Sequence, residues 1–256
     1  MDIDDILASV DRDDINLPES IALDHQQLTR FWVAERAAPE LLPWPGPLMD
    51  RMMERVRKQI AKIEDLSISD PASTTTNNPT LNLTLSILQS DLSRTQFLIR
   101  SLLRQRLAKL TKHPIHYLRL STPPSASQQP RLSSTHHQQE DPLSPQERSF
   151  LSAHHSLLSD HYSHSFLASF PPALRKLDDN AGGTSMVTAP ETKEVVFARC
   201  LAESADVIIP AERDQSDRMS FGMGDRLGER MSKGEVWMVR WEGIKGAWMK
   251  GEVEIL

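Results

Sequence analysis

Six of the nine histidines fall between His136 and His164, and that density is the first place to look for chemistry. His161 and His164, three residues apart, would share a helix face and could together approach a transition metal. A catalytic zinc needs a third protein ligand, and no HExxH run or cysteine partner supplies one. The residues therefore read as solvated polar positions, with no metal and no cofactor; a metal hydrolase on the histidine helix is the competing enzyme reading. Cys200 sits in the apolar run VVFARCL without a local nucleophile signature, so it reads as buried filler. The sequence holds no phosphate-cradling glycine loop, no GxSxG and no paired-carboxylate motif. The expectation is a protein that is not an enzyme, with no catalytic residues.

Charge offers a better lead. No acidic residue occurs from Leu92 to Gln139, a stretch that carries Arg94, Arg100, Arg104, Arg106, Lys109, Lys112, Arg119 and Arg131. Arg100, Arg104, Lys109 and Lys112 form a candidate patch for nucleic-acid phosphates or an acidic partner. The plainer reading is a solvated helix face whose last-turn cations favour the helix dipole. At about 100° per residue the bases spread widely, and Arg106 falls inside the apolar arc. A charge there normally needs a carboxylate partner, which another subunit could supply.

The opening segment MDIDDILASVDRDD is acidic, without the basic region of a secretory signal. Ile3, Ile6, Leu7 and Val10 would share one face of a helix too short to persist alone. Such an edge amid aspartates suits a peptide that folds into a partner's groove.

These features need elements to hold them. The chain has 256 residues, 39% hydrophobic and 25% charged, with a net charge of −6. That length is enough for one large domain or two modest ones. No apolar run approaches the ~20 residues of a membrane helix, so no membrane contact is expected. One cysteine excludes an internal disulfide and suggests a reducing compartment. Gly46 is the only glycine before Gly182, whereas nine lie between Gly182 and Gly251. Helices avoid glycine and strand turns use it, so the chain reads as α+β, mainly α with a small β domain. The expected order is an acidic partner-binding peptide at 1–20, a helical bundle domain at 21–178, a linker at 179–185 and a β-rich domain at 186–256. Disordered insertions are expected at about 67–80 and 121–142.

Within the helical region, Asp24 and Gln27 have capping-box spacing, and Pro47 can open a second helix bearing Leu48, Met52, Val56, Ile60 and Ile63 on one face. A third helix, about Leu81–Lys112, carries the seam Leu81, Leu85, Leu88, Leu92, Thr95, Ile99 and Leu102, with spacings of four and three. Beyond Arg94 its apolar arc widens as Phe97, Leu98, Leu103, Leu107 and Leu110 join, which predicts packing on two sides. Ser144, Pro145 and Glu147 mark the start of a fourth helix. VVFARCL, EVWMVRW and AWMKGEVEIL read as strands, the last two joined by a glycine turn in EGIKG.

Three blocks resemble the GINS complex family of eukaryotic DNA replication, specifically its Sld-five (subunit four) branch. They are ERAAPELLPW (Glu35 to Trp44), RTQFLIRSLLRQRLAKLTKHPIHYL (Arg94 to Leu118) and KGEVWMVRWEGIKGAWMKGEVEIL (Lys233 to Leu256). LSPQERSF and MVTAPETKEVVFARCL add weaker agreement. The resemblance implies a non-catalytic nuclear subunit of a heterotetramer with three sister GINS subunits. That assembly joins the MCM helicase ring and Cdc-forty-five, with polymerase epsilon as a further partner and DNA met mainly indirectly. The opening peptide is similar to the acidic DDIL peptide by which fungal members dock onto the trimeric replisome adaptor leading to polymerase alpha. By that match Asp4, Asp5, Ile6 and Leu7 are contact residues, with Ile3 and Val10 beside them. The expected subunit interface comprises Phe97, Leu98, Ile99, Leu102, Leu103, Arg106, Leu107 and Leu110 on the helix, and Trp237, Val239 and Trp241 in the β domain. The runner-up is a nucleic-acid-binding protein that uses the basic helix 94–112 directly.

Overall fold

A computed structural model describes residues 18–68, 79–121, 142–171, 187–209 and 227–256. The expected contact residues Ile3, Asp4, Asp5, Ile6, Leu7 and Val10, the linker at 179–185 and most of both expected insertions lie outside them. The described residues form an α+β fold. In order come α1 (Pro18–Ala37), α2 (Gly46–Ile68), α3 (Pro79–Lys112), α4 (Pro114–Ser121), α5 (Pro145–His164) and a 3-10 turn (Leu167–Ser169). They are followed by β1 (Val195–Cys200), β2 (Ser204–Ile209), β3 (Leu227–Ser232), β4 (Val236–Arg240), α6 (Trp241–Met249) and β5 (Val253–Ile255). The chain divides into two compact units, Met1–Trp32 with Pro45–Arg104, and Val33–Trp44 with Gln105–Leu256.

In the first unit the seam of α3 behaves as its spacing predicts. Thr95, Ile99 and Leu102 are buried, as are Leu28 of α1 and Leu48, Met49, Met52 and Val56 of α2. Asp24 does not cap a helix, because α1 is already helical from Pro18. Its carboxylate is buried and clasped by Arg51 at 2.9 Å and Arg55 at 2.6 Å, both from α2. Burial pushes the Asp24 carboxyl up, but the Arg51 hydrogen bond and the charges of Arg55 and Arg51 outweigh it and hold it below its ordinary range.

In the second unit α5 starts as its sequence predicts. The Ser144 side chain accepts from the Glu147 N–H, the Glu147 carboxylate accepts from the Ser144 N–H, and Pro145 opens the helix. Leu41, Leu110, Tyr117, Leu143 and Leu151 form one apolar cluster. β1 is the centre of an antiparallel sheet of order β4-β1-β5, while β2 and β3 pair separately.

The expected glycine turn in EGIKG is instead the helix α6, and only Val253–Ile255 of the last predicted strand is extended. Trp241, Ile244 and Ala247 recur at helical spacing and are buried, which outweighs two glycines in nine residues. Gly251, with φ of 75°, ends α6 in a Schellman arrangement: its N–H reaches the Trp248 carbonyl and that of Glu252 reaches Ala247. Gly243 has a packing role. A Cβ built there would stand 2.3 Å from the Ile208 carbonyl oxygen of β2, whereas one at Gly246 would meet nothing within 4 Å.

That contrast yields a paired prediction. Gly243→Ala should destabilise the β region by about 1–3 kcal/mol through overpacking. Gly246→Ala should stabilise it by about 0.5–1 kcal/mol through helix propensity. Urea unfolding of the two variants checks this; equal effects would mean α6 does not approach β2 this closely.

Candidate protein interface

The seam of α3 continues past Leu102 to positions 106 and 110, so Arg106 must enter the core its own helix faces. Its side chain is fully buried. Nε and Nη2 grip Glu147 at 2.7 and 3.0 Å, and Nη2 also donates to the Pro142 carbonyl at 2.8 Å. Nη1 donates to Glu35 at 2.9 Å and to the Leu42 carbonyl at 2.8 Å. All five guanidinium N–H groups are thereby used. The Trp44 ring lies under the same group, 5.1 Å from Cζ.

One turn further along α3, Lys109 donates to the other Glu35 oxygen at 2.6 Å, and to the carbonyls of Glu35 and Glu40. Its three donors are also taken. The predicted carboxylate partner of Arg106 therefore exists, twice, and both copies lie in this chain. Glu147 was visible in the sequence as a helix cap. Glu35 carried no local signal, since its role depends on a helix 71 residues away in sequence. Burial drives the Glu35 carboxyl up and the Lys109 ammonium down despite their mutual attraction. Burying charges is costly even when they are paired, so a hub of this kind serves geometry more than net stability.

The hub fixes α3 to the chain between α1 and α2, to residues 142–144 and to the start of α5. Tyr117 of α4 adds to it: its oxygen accepts the Leu41 N–H at 3.0 Å, and burial pushes its phenol up to about 12. A saturated hub offers no donor to a substrate. Of the sequence-predicted positions, Ile99, Leu102, Arg106, Leu110 and Trp241 are buried within this chain. Leu98, Leu103, Trp237 and Val239 are half-buried, whereas Phe97 and Leu107 are exposed. Arg100, Arg104 and Lys112 are exposed, but the hub withdraws Lys109 from that group. His161 and His164 lie on the exposed side of α5, and no cluster of three potential metal ligands occurs among the described residues. No helix among them is long and apolar enough to cross a membrane. Cys200 is buried in β1.

Among the described residues, two exposed apolar surfaces lie on α3 and on the three-stranded sheet. The first is the back of α3, where Leu83, Ile87 and Phe97 are each about three-fifths exposed, on the face opposite the buried seam. The second is the outer face of the three-stranded sheet. Phe197 pairs with Met238, and these two stay 55% and 67% exposed beside Val195, Val236 and Leu256. The Arg199–Glu254 ion pair lies on the same face. An apolar centre with a charged margin is the usual anatomy of a protein interface. The sequence pointed to Trp237, Val239 and Trp241 in this region. Strand parity turns the first two towards the inner side, and Trp241 belongs to α6.

Arg106→Leu should cost about 3–5 kcal/mol, because it leaves the buried Glu147 carboxylate without a cation and Glu35 with Lys109 alone. Adding Glu35→Gln and Glu147→Gln should recover part of that loss in chemical denaturation; a cost below 1 kcal/mol would contradict the hub. For Tyr117 the folded pKa lies above the unfolded one. The folded chain therefore keeps a proton that the unfolded chain releases, and stability falls as pH rises from about 10 to about 12. Tyr117→Phe should remove that alkaline slope and cost about 1–3 kcal/mol at neutral pH through the unpaired Leu41 N–H.

Residues 56–166 match the GINS complex protein helical bundle domain model named Sld5, and residues 190–256 match the model for the C-terminus of the DNA replication complex GINS protein SLD5. The chain is 34% identical to the DNA replication complex GINS protein SLD5 of Chaetomium globosum over 257 residues, covering 100% of both chains. It is 34% identical to the Yarrowia lipolytica protein of the same name, covering 81% of this chain and 72% of that one. It is 27% identical to the Schizosaccharomyces pombe protein, covering 91% and 92%. A helical bundle pinned by a buried arginine, a small β region after it and full-length likeness to these fungal proteins lead to one conclusion: the chain belongs to the Sld5 family of GINS complex proteins.

Proposed function

We propose that the chain is a non-catalytic subunit of a GINS heterotetramer and acts as a scaffold and activator of the MCM helicase ring in initiation and elongation of DNA replication. In this reading its site of action is the nucleus, and ATP hydrolysis belongs to the ring. Cdc-forty-five and polymerase epsilon are further neighbours, and the acidic opening peptide docks the replisome adaptor of polymerase alpha. The helical region 21–178 and the β region 186–256 act as separate docking domains.

The observation that carries the reading is the pairing of a saturated charged hub with two unpartnered apolar faces. The first leaves nothing for substrate chemistry; the second gives sister chains somewhere to sit. On α3 the expected interface narrows to the exposed positions, Phe97 and Leu107, with Leu98 and Leu103 at the margin. In the β region it shifts to Phe197 and Met238.

Co-expression with the three sister subunits should give a complex whose mass fits one copy of each. In that complex Phe197→Asp with Met238→Asp should lower the yield of intact tetramer. The substituted chain should itself unfold within about 0.5 kcal/mol of the parent, since both side chains are solvent-exposed. A lone chain that stays monomeric beside its sisters would remove the scaffold reading.

A direct nucleic-acid role keeps one observation in its favour, the exposed bases Arg94, Arg100, Arg104 and Lys112. It requires the logarithm of DNA affinity to fall against log salt by roughly 0.9 per phosphate neutralised. Arg100→Glu with Arg104→Glu should then abolish binding; a flat salt dependence would exclude the role.

A further inference from the structure

The exposed back of α3 carries a charge pattern as well as apolar side chains. Leu83, Ile87, Arg94, Phe97 and Arg104 follow one another on one face at heptad-like spacing, with Arg100 beside them. Each of these residues is exposed. Among the described residues Arg100 donates to Gln96, one turn away on the same helix. The face is thus a basic strip with an aromatic centre, and no carboxylate on α3 follows Asp91 to offset it.

The segment ahead of Pro18 has the complementary chemistry. It carries Asp2, Asp4, Asp5, Asp11, Asp13 and Asp14 around an apolar edge of Ile3, Ile6, Leu7 and Val10. We propose that in the unassembled chain this acidic segment docks on the Arg94–Phe97–Arg100–Arg104 face of its own α3. The apolar edge covers Phe97, and the aspartates meet the three arginines.

Reach is adequate. The Arg55 guanidinium of α2 donates to Ser20 near the start of α1. One turn further along α2, Gln59 donates to the Leu88 carbonyl and the Asp91 carboxylate of α3. α2 therefore stands between the start of α1 and the Leu88–Asp91 side of α3, so the α3 axis lies two packing distances away, about 20 Å. The residues from Val10 to Pro18 can span up to roughly 26 Å when extended. Tethering also raises the effective concentration of the segment to the millimolar range, so a weak intramolecular contact suffices.

Resting on the heterotetramer reading, the contact has a regulatory consequence. A sister subunit seated on the back of α3 displaces the segment and releases it for its outside partner. Assembly and availability of the peptide are then linked through one surface.

The test uses the full chain with a photo-crosslinking amino acid at Ile6. Irradiation of the lone chain should give intramolecular crosslinks that map to 92–104. Arg100→Glu with Arg104→Glu, both on exposed positions, should cut their yield at least five-fold while circular dichroism stays unchanged. Adding Asp4→Arg and Asp5→Arg to that variant should restore the crosslink. Crosslinks scattered over the chain, crosslinks between two chains, or a yield indifferent to the arginines would each overturn the docking. In the purified tetramer the crosslink to α3 should vanish; its persistence there would overturn the displacement. Absence of any tetramer fails the assembly reading alone, because the lone-chain crosslink is read independently.

Discussion

A guanidinium taken wholly out of water tolerates no unmet donor, and Arg106 imposes that constraint on everything around it. Its position follows from the heptad-like spacing of α3, which turns residue 106 to the same side as Ile99, Leu102 and Leu110. Once there, it must find acceptors for five N–H groups. The Glu35 and Glu147 carboxylates supply three of the contacts and the Leu42 and Pro142 carbonyls the other two. The acceptors come from two segments, 35–42 and 142–147, so satisfying one side chain sets the course of both. The chain between α1 and α2, which has no regular structure across its proline-rich part, is fixed largely through its carbonyls to Arg106 and Lys109.

The same economy appears at α5. Glu147 closes the capping box on Ser144 and also receives two guanidinium donors, so one carboxylate starts a helix and holds another helix to it. Buried ion networks replaced by apolar residues of similar volume are often as stable or more so. What the ions add is direction. Hydrogen bonds have fixed geometry, and apolar contacts alone would let α3 slide in register.

With α3 committed on one side, its other face keeps Leu83, Ile87 and Phe97 in solvent. The three-stranded sheet shows the same division: α6 covers the inner face through Trp241, Ile244 and Ala247, and the outer face keeps Phe197 and Met238 in solvent. Both surfaces are by-products of how the inner faces are filled. In the proposed function these outer apolar faces are where other subunits sit. The basic strip on α3 gives that face a charge preference besides.

The sequence by itself determined the helical elements and their inward faces, because 3.6-residue periodicity, the Ser144-Pro145-Glu147 start and the glycine distribution are local signals. It also required Arg106 to find a carboxylate, since burying an unpaired charge is prohibitive. Only the tertiary structure decided that the partners are Glu35 and Glu147, residues 71 and 41 positions from Arg106 that no spacing rule connects to it. The β region was less legible for a related reason. EVWMVRWEGIKGAWM is apolar on both strand parities, so nothing local says which side is inner. Burial of Trp241, Ile244 and Ala247 makes the glycine-containing stretch a helix, and the Ile208 carbonyl passing beside it keeps residue 243 a glycine. Long-range packing chose between states that local preference left nearly balanced.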